Sequence, residues 1–267
     1  MNKNALEKSV IQWLRHSLNM GCDMAACVGE LRRKGYSDAA VLAGIELIRP
    51  SGNALGSVPP LISRNPPTLH KIENSGVELY TLDNFMNEKE RNRLIALIGH
   101  NLRPSKLALK NDDANIRTSQ TSELCHLKSP TALEIDAKIC KTFGIRASYS
   151  EGVQAQRYDV GQQFKPHVDY FEPDSDMYRR LAGLKGNRTW TFMVYLNDGM
   201  EGGATRFTKL DLAVAPKAGM ALFWNNLKED GLPNPLTQHS GEPIISGHKI
   251  VITKWFRVHG DGPVFHE

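Results

Sequence analysis

Two residues able to bind a metal stand one position apart in the segment QRYDVGQQFKPHVDYF, residues 156–171: His167 and Asp169. In an extended chain, side chains two positions apart point to the same face, so this imidazole and this carboxylate can reach one point in space. A His-x-Asp triplet also arises often by chance, and a single histidine is more often an ordinary hydrogen-bonded residue. The pair therefore suggests a metal site without establishing one.

A second segment, LTQHSGEPIISGHKIVITKWF at residues 236–256, contributes a third candidate ligand, His239. Two histidines and one carboxylate on a triangular face leave three metal positions open, which suits Fe(II) enzymes that bind a cosubstrate and O2 together. Zinc more often takes three protein ligands and one water. The three residues therefore favour Fe(II) over zinc.

The same segment contains residues that could bind a cosubstrate. If the cosubstrate is a 2-oxo acid that chelates iron through its keto and carboxylate oxygens, its far carboxylate needs a buried cation and hydroxyl donors. Lys249 can supply the charge, while Thr253 on the same strand face and Tyr158 on a neighbouring strand can donate hydrogen bonds. The alternatives are structural: a solvated strand end for Lys249 and sheet packing for Tyr158.

Several motifs of the chain, taken in order, resemble the prolyl 4-hydroxylase family of Fe(II)/2-oxoglutarate dioxygenases. The resemblance covers about residues 78–258 and rests on LDNFMNEKERNRLI, RTSQTSEL, QRYDVGQQFKPHVD, RTWTFMVYLND, GGATRF and HSGEPIISGHKIVITKW. Such an ordered series is far more specific than His-x-Asp alone. It implies an α+β, mainly β fold, in which the catalytic domain is a double-stranded β-helix, or jelly roll, with supporting helices.

The resemblance also implies roles for individual residues, carried over by position. The iron ligands would be His167, Asp169 and His239. The cosubstrate pocket would contain Lys249, Tyr158, Thr253 and Tyr195. Three side chains would lie near the substrate, and each has a purely structural alternative: Arg117, Arg188 and Trp255. No side chain beyond the metal centre is expected to be catalytic.

The implied reaction is hydroxylation of a prolyl residue in a peptide or protein, with O2 consumed, 2-oxoglutarate converted to succinate and CO2, and ascorbate keeping the iron reduced. Two alternatives stay open: a related dioxygenase acting on a free amino acid or other small molecule, and a catalytically idle binding module. The segment YFEPDSDMYRRLAGLKGN after Asp169 is expected to be a mobile loop that closes over a peptide, since long loops are usually functional or disordered.

The composition of the chain limits which partners and which cellular location we expect. The 267 residues are 40% hydrophobic with a net charge of +4, enough for a core and without the basic tract that follows a phosphate backbone. No apolar run approaches the roughly 18 residues of a membrane span, and the amino-terminal MNKNALEKSVIQW lacks the apolar core of a secretory signal. We therefore expect a cytoplasmic protein that binds neither nucleic acid nor membrane. Its cysteines are expected to be reduced and buried: Cys22, Cys27, Cys125 and Cys140.

The distribution of residue types along the chain predicts three parts. Residues 1–50 have apolar residues at helical spacing and predict a three-helix module, loosely similar to ubiquitin-associated-like domains, that would recruit a protein partner. Residues 51–75, rich in Pro, Gly and Ser, predict a linker. Residues 76–267 predict the dioxygenase domain, with helices from Asn87 to about Ile98 and from about Thr131 to Phe143, then many short strands.

Overall fold

The computed structural model describes residues 3–19, 24–48, 69–73, 76–105, 117–124, 127, 129–173, 175 and 178–265. Within these ranges there are five α-helices, which are α1 (Lys8–Asn19), α2 (Met24–Arg33), α3 (Asp38–Ile48), α4 (Glu88–Gly99) and α5 (Pro130–Phe143). The first seven strands are β1 (Leu69–Lys71), β2 (Leu79–Leu82), β3 (Arg103–Pro104), β4 (Gln120–Glu123), β5 (Gln154–Tyr158), β6 (Phe164–His167) and β7 (Arg188–Tyr195). The other seven are β8 (Glu201–Gly202), β9 (Thr205–Phe207), β10 (Leu212–Val214), β11 (Ala221–Asn225), β12 (His239–Gly241), β13 (Ile244–Ser246) and β14 (Lys249–Arg257).

These strands pair antiparallel in the described part of the chain. The largest sheet has eight strands in the order β1-β2-β11-β7-β14-β5-β4-β3, the second has four in the order β10-β9-β12-β6, and a third pairs β13 with β8. The two larger sheets pack against each other, since the Phe207 ring of β9 meets the Trp224 ring of β11 edge-on with centroids 5.3 Å apart. Apart from Asp169, which follows β6, the residues predicted to bind iron and cosubstrate lie on strands of both sheets.

The outer face of the eight-stranded sheet is covered by α4 and α5. Phe143 of α5 contacts four aromatic rings of the sheet at centroid distances of 4.9–5.8 Å, those of Trp190, Phe192, Phe223 and Phe256. Burial of such side chains contributes about 1.5–3 kcal/mol each. This layer holds the sheet rigid, so its opposite face can present polar residues to a cleft.

Both predicted helices of this layer are confirmed to within about one residue because their ends are set by local chemistry. The Asn87 side chain accepts a hydrogen bond from the Glu90 backbone N (3.0 Å), and the Glu90 carboxylate accepts one from the Asn87 backbone N (2.9 Å), forming a capping box at the start of α4. Pro130 opens α5, and Gly144 ends it with a φ of +69°.

The amino-terminal helices α1–α3 enclose a separate hydrophobic core that includes Leu14, Leu31 and Val41. Ser37 caps α3, since its hydroxyl accepts a hydrogen bond from the Ala40 backbone N at 3.2 Å. Leu184, in the loop that follows Asp169, packs against this core. The helices therefore contact the part of the chain that leads away from the candidate metal ligands.

The predicted end of the linker is wrong. Residues 69–71 were assigned to the linker, yet they form β1, in which Leu69 pairs with Leu82 and packs on the helix-side core. The β part therefore begins at or before Leu69, and residues 51–68 of the predicted linker lie outside the described ranges. Further along, β10 and β11 are separate strands, because Pro216 between them cannot donate to a ladder and Gly219 turns the chain with a φ of +81°.

Two further observations concern the composition. Cys27 and Cys140 are buried as predicted, whereas Cys22 and Cys125 fall outside the described residues. Among the described helices, none combines the length and apolar character needed to cross a membrane.

Candidate metal centre and cosubstrate pocket

His167, Asp169 and His239 converge between the two larger sheets. β6 ends at His167 and Asp169 lies in the bend that follows, so the two ligands flank the end of a strand rather than sharing one. Antiparallel pairing of β12 with β6 places His239 directly opposite His167. One candidate ligand atom from each residue lies within 4.8 Å of the others. The distances from Asp169 are 3.8 Å for Oδ1 to His167 Nε2 and 3.9 Å for Oδ2 to His239 Nε2.

Backbone carbonyls determine which nitrogen of each ring faces the centre. His167 Nδ1 lies 2.9 Å from the Lys165 carbonyl oxygen, and His239 Nδ1 lies 3.0 Å from the Thr237 carbonyl oxygen. A ring nitrogen that faces a carbonyl oxygen at this distance carries the proton and donates it. Each Nε2 therefore presents a lone pair toward Asp169, as in metal-binding histidines.

The residues present fit a divalent cation. Burial, together with the neighbouring His239, lowers the pKa of His167 to about 3, so that ring is neutral at physiological pH. Two nitrogen lone pairs and a carboxylate then face one another, and no hydrogen bond joins any two of these three side chains. Such a cluster repels itself unless a cation lies at its centre. Two imidazoles and one carboxylate, with room for further ligands, match Fe(II).

Aromatic rings pack against both histidines and restrict the rotation of their imidazoles. The Phe164 ring stacks on His167 with centroids 3.5 Å apart, and the Trp224 ring meets His239 edge-on at 4.7 Å. Strand alternation would place Phe164 and His167 on opposite faces, but the register of β6 against β12 shifts between His239 and Gly241. This irregularity explains why sequence reasoning missed Phe164.

Lys249 lines the cleft as a buried cation. Its side chain is 3% exposed, and Nζ donates a hydrogen bond to the Gly203 carbonyl oxygen at 2.7 Å. Nζ also lies 4.9 Å from the centroid of the Tyr158 ring, while no carboxylate of the described residues is within 4 Å. Burial lowers the pKa of Lys249 to about 8. A buried ammonium without a counterion is costly, so this position fits an anionic ligand such as the far carboxylate of 2-oxoglutarate.

Pairing of β14 with β5 aligns the other pocket residues with Lys249. Tyr158 is the direct partner of Lys249, and Gln156 is the partner of Val251 two residues further along. Thr253 donates a hydrogen bond through Oγ1 to Gln156 Oε1 at 3.2 Å. The lining of the cleft includes the three candidate metal ligands together with Lys249, Tyr158, Thr253, Gln156, Arg117 and Trp255.

Two predicted site residues lie one layer behind the cleft lining. The Tyr195 hydroxyl donates to Thr205 Oγ1 at 2.7 Å, and it is Thr205 that lines the cleft. The Arg188 guanidinium lies 3.9 Å from the Trp255 ring centroid and pairs with Glu151. Any influence of these residues on a ligand would therefore pass through Thr205 and Trp255. Arg117, by contrast, lines the cleft, and its contact with a substrate stays a prediction.

A partly buried ion network holds both ends of the loop that follows Asp169. The Glu151 carboxylate accepts hydrogen bonds from Arg188 Nε and Nη2 at 2.7 and 2.8 Å and from Arg257 Nη1 at 3.0 Å. Arg188 Nη1 reaches the Asp169 carbonyl oxygen at 3.4 Å. Arg257 donates to three carbonyl oxygens of the loop, those of Leu181, Ala182 and Gly186. Closure of this loop over a peptide stays a prediction, but its base is anchored.

Because of this ion network, we expect the free energy of unfolding to fall in acid. Burial alone would raise the pKa of Glu151, but Arg188 and Arg257 bring it down from 4.5 to about 2. Between about pH 2 and pH 4.5 the unfolded chain therefore binds more protons than the folded chain. The network stabilises the fold above about pH 4.5, and its contribution is lost as the pH falls toward 2. The shift corresponds to a contribution on the order of 3 kcal/mol. Glu151→Gln should therefore lower the free energy of unfolding at pH 7 by about 3 kcal/mol.

Urea unfolding of the parent and of Glu151→Gln at a series of pH values measures this effect. Glu201→Gln, which changes an exposed carboxylate in the same way, is the control and should follow the parent curve. Equal acid dependence in the parent and in Glu151→Gln would contradict the assignment.

Comparison with known proteins agrees with this geometry. Residues 153–257 match the family model described as the 2OG-Fe(II) oxygenase superfamily. Probable prolyl 4-hydroxylase 10 of Arabidopsis thaliana is 32% identical over 199 residues, which cover 66% of this chain and 67% of that protein. Prolyl 4-hydroxylase subunit alpha-1 of Gallus gallus is 35% identical over 148 residues, covering 55% of this chain. The match spans only 28% of the length of that animal subunit.

A solved structure shows a similar fold. The viral collagen prolyl hydroxylase from Paramecium Bursaria Chlorella virus-1, crystallised as a 2OG complex, aligns with a TM-score of 0.51 and 25% sequence identity. The alignment covers 67% of this chain and 96% of the viral chain. All three candidate metal ligands fall within the residues matched by the family model.

Proposed function

We propose that this chain, which belongs to the prolyl 4-hydroxylase family of 2OG-Fe(II) oxygenases, hydroxylates prolyl residues in a peptide or protein. The observation that carries the proposal is the pairing, in one cleft, of a His-Asp-His cluster with a buried lysine that has no carboxylate partner among the described residues. Fe(II) bound with 2-oxoglutarate and O2 supplies the oxidising chemistry, which yields succinate and CO2 and inserts one oxygen atom into a substrate C–H bond.

The protein residues bind, orient and exclude water. His167, Asp169 and His239 would hold the metal from one side, leaving the opposite side open to ligands. Lys249 would bind the far carboxylate of 2-oxoglutarate through a charge-assisted hydrogen bond. Tyr158 and Thr253 lie on the same cleft face and would add hydroxyl donors. The chemistry assigns no proton transfer to a side chain, so no general base is needed.

The substrate would bind beside Arg117 and Trp255, which line the wall of the cleft. Arg117 donates to Ser119 Oγ at 3.0 Å and to Gln154 Oε1 at 3.2 Å, which fixes its guanidinium beside the Phe164 ring. A peptide carbonyl is a suitable acceptor for the remaining donors of this group. This polar wall, next to an aromatic surface, favours a peptide over a free amino acid.

Finer features of the protein are also part of the proposal. The facing antiparallel sheets support a double-stranded β-helix, and the separate core of α1–α3 supports a distinct amino-terminal module that recruits a protein partner. Ascorbate would serve as the reductant that keeps the iron active. The cytoplasmic location stays a prediction from the sequence.

An anaerobic titration with Fe(II) and 2-oxoglutarate tests the cofactors, since their chelate on the protein gives a weak visible charge-transfer band. Aerobic turnover with a proline-containing peptide, beside free proline, then tests the substrate. Addition of one oxygen atom to the peptide with stoichiometric succinate would support the proposal. Oxidation of free proline alone would favour a small-molecule dioxygenase. A folded protein that gives neither the band nor succinate would contradict the proposed function.

A further inference from the structure

We propose that Thr191 and Asn226 form a hydrogen-bond relay that positions Asp169 so that it offers a single oxygen to the metal. The inference deepens the proposed function and rests on it, because it concerns how the Fe(II) site is built. Thr191 and Asn226 are positioning residues, since neither is among the residues that line the cleft.

The relay consists of three hydrogen bonds in the interior. Thr191 Oγ1 lies 2.8 Å from Asp169 Oδ2, Asn226 Nδ2 lies 2.8 Å from Thr191 Oγ1, and Trp224 Nε1 lies 3.0 Å from Asn226 Oδ1. Thr191 and Asn226 are fully buried, and Trp224 and Asp169 are nearly so. Water therefore cannot substitute for any member without a rearrangement.

The direction of every bond in the relay follows from the chemistry of its first member. An indole N–H can only donate, so Asn226 Oδ1 accepts from Trp224 and the amide Nδ2 must point to Thr191. The amide Nδ2 can only donate, so Thr191 Oγ1 accepts from it. The single hydroxyl proton of Thr191 is then directed to Asp169 Oδ2. An ionised carboxylate is the matching acceptor, and the relay therefore favours the charged form of Asp169 that a metal needs.

This direction has a consequence for the metal. Oδ1 of Asp169 lies 3.8 Å from His167 Nε2, and Oδ2 lies 3.9 Å from His239 Nε2, so distance alone does not distinguish the two oxygens. Oδ2 already accepts the Thr191 hydroxyl proton, and the relay therefore makes Oδ1 the better donor to the metal. A carboxylate that used both oxygens would fill one of the three positions that a chelating cosubstrate and O2 require. The relay thus keeps the open side of the metal available.

The same strand carries a natural control. Thr189 lies two residues before Thr191 on β7 and is equally buried, yet its Oγ1 has no hydrogen-bond partner in the described part of the chain. Thr→Val is nearly isosteric at both positions. Only at position 191 does the change remove a hydrogen bond to a candidate metal ligand, so the pair separates the relay from a general effect of losing a buried hydroxyl.

The experiment is an anaerobic titration of the full chain with Fe(II), alone and with 2-oxoglutarate, following affinity and the charge-transfer band. Thr191→Val is expected to weaken Fe(II) binding about 10- to 100-fold, as for other residues that orient metal ligands, and to diminish or shift the band. Thr191→Ser keeps the hydroxyl and should restore both. Thr189→Val should match the parent. Asn226→Leu, which leaves Asp169 and Thr191 in place, should weaken Fe(II) binding less than Thr191→Val does. It replaces Thr191→Val in the test if that variant fails to fold.

The relay would be overturned, with the proposed function left intact, if Thr191→Val bound Fe(II) as tightly as the parent and showed an unshifted band. The same result in Asn226→Leu would overturn it where Thr191→Val fails to fold. Equal losses in Thr191→Ser and Thr191→Val, or in Thr189→Val, would also overturn it, because the hydroxyl bond would then not be the cause. A parent protein that binds neither Fe(II) nor 2-oxoglutarate would overturn the proposed function and the relay together. Circular dichroism of each variant confirms that the comparison is among folded proteins.

Discussion

Replacing His239 with alanine is expected to abolish the charge-transfer band of the Fe(II) and 2-oxoglutarate complex and to reduce turnover by about 10³-fold or more. His239 contributes one of only two nitrogen donors in the cluster, and its Nε2 already faces Asp169 at 3.9 Å. The remaining imidazole and carboxylate would hold Fe(II) only weakly. Anaerobic titration and succinate release measure the two effects on one preparation.

His70→Ala is the matched control for this variant, because His70 is exposed on β1 and belongs to no described cluster of potential metal ligands. It should retain the band and the turnover of the parent. A thermal melt shows whether His239→Ala is folded, since its loss of the Nδ1 hydrogen bond to Thr237 also affects β12. A folded His239→Ala that keeps the band would place the metal elsewhere.

Helices were predictable because their ends depend on neighbouring residues. The capping box of Asn87 and Glu90 and the left-handed Gly144 are both local features, and the sequence placed α4 and α5 accordingly. The meeting of His239 with His167 depends instead on the pairing of β12 with β6. No local rule gives that pairing, and it was anticipated only through the ordered motifs that resemble a known family.

Contacts between side chains of separate elements could not be predicted from the sequence, for a different physical reason. Arg188 was expected near the substrate, but Glu151 occupies two of its donors and Trp255 covers its face. Asn226 follows β11 and reaches Thr191 only because β11 and β7 are neighbours in the sheet. Such contacts join separate elements, so neither periodicity nor spacing indicates them. The hydrogen-bond pattern of the folded chain does.

Lys249→Met is expected to weaken 2-oxoglutarate binding about 100- to 1000-fold while leaving Fe(II) affinity close to that of the parent. The substitution keeps the length of the side chain and removes the charge that would pair with the far carboxylate. The same charge is costly without a ligand, because burial lowers the pKa of Lys249 from 10.5 to about 8. Loss of that cost should stabilise the ligand-free protein at pH 7 by an amount on the order of 3 kcal/mol.

The lowered pKa of Lys249 also predicts how stability and 2-oxoglutarate affinity change with pH. The unfolded chain binds more protons between about pH 8 and 10.5, so the ligand-free parent should gain stability as the pH rises through that interval. Its affinity for 2-oxoglutarate should fall over the same rise, since the ammonium is lost. Glu242, whose charge raises this pKa, is paired with Arg206 and does not replace the missing counterion. Both trends should be absent in Lys249→Met.

Lys254→Met provides the opposite result from the same strand. Lys254 is as buried as Lys249, but its Nζ pairs with Asp136 Oδ1 at 2.6 Å and donates to the Glu151 carbonyl oxygen at 2.7 Å. Removing it leaves Asp136 without its partner, so this variant should lose stability and keep its affinity for 2-oxoglutarate. Chemical unfolding and anaerobic titration of both variants therefore separate a cation that awaits an anionic ligand from one that the fold already neutralises. If Lys249→Met loses stability and binds 2-oxoglutarate normally, Lys249 is structural and the cosubstrate carboxylate binds elsewhere.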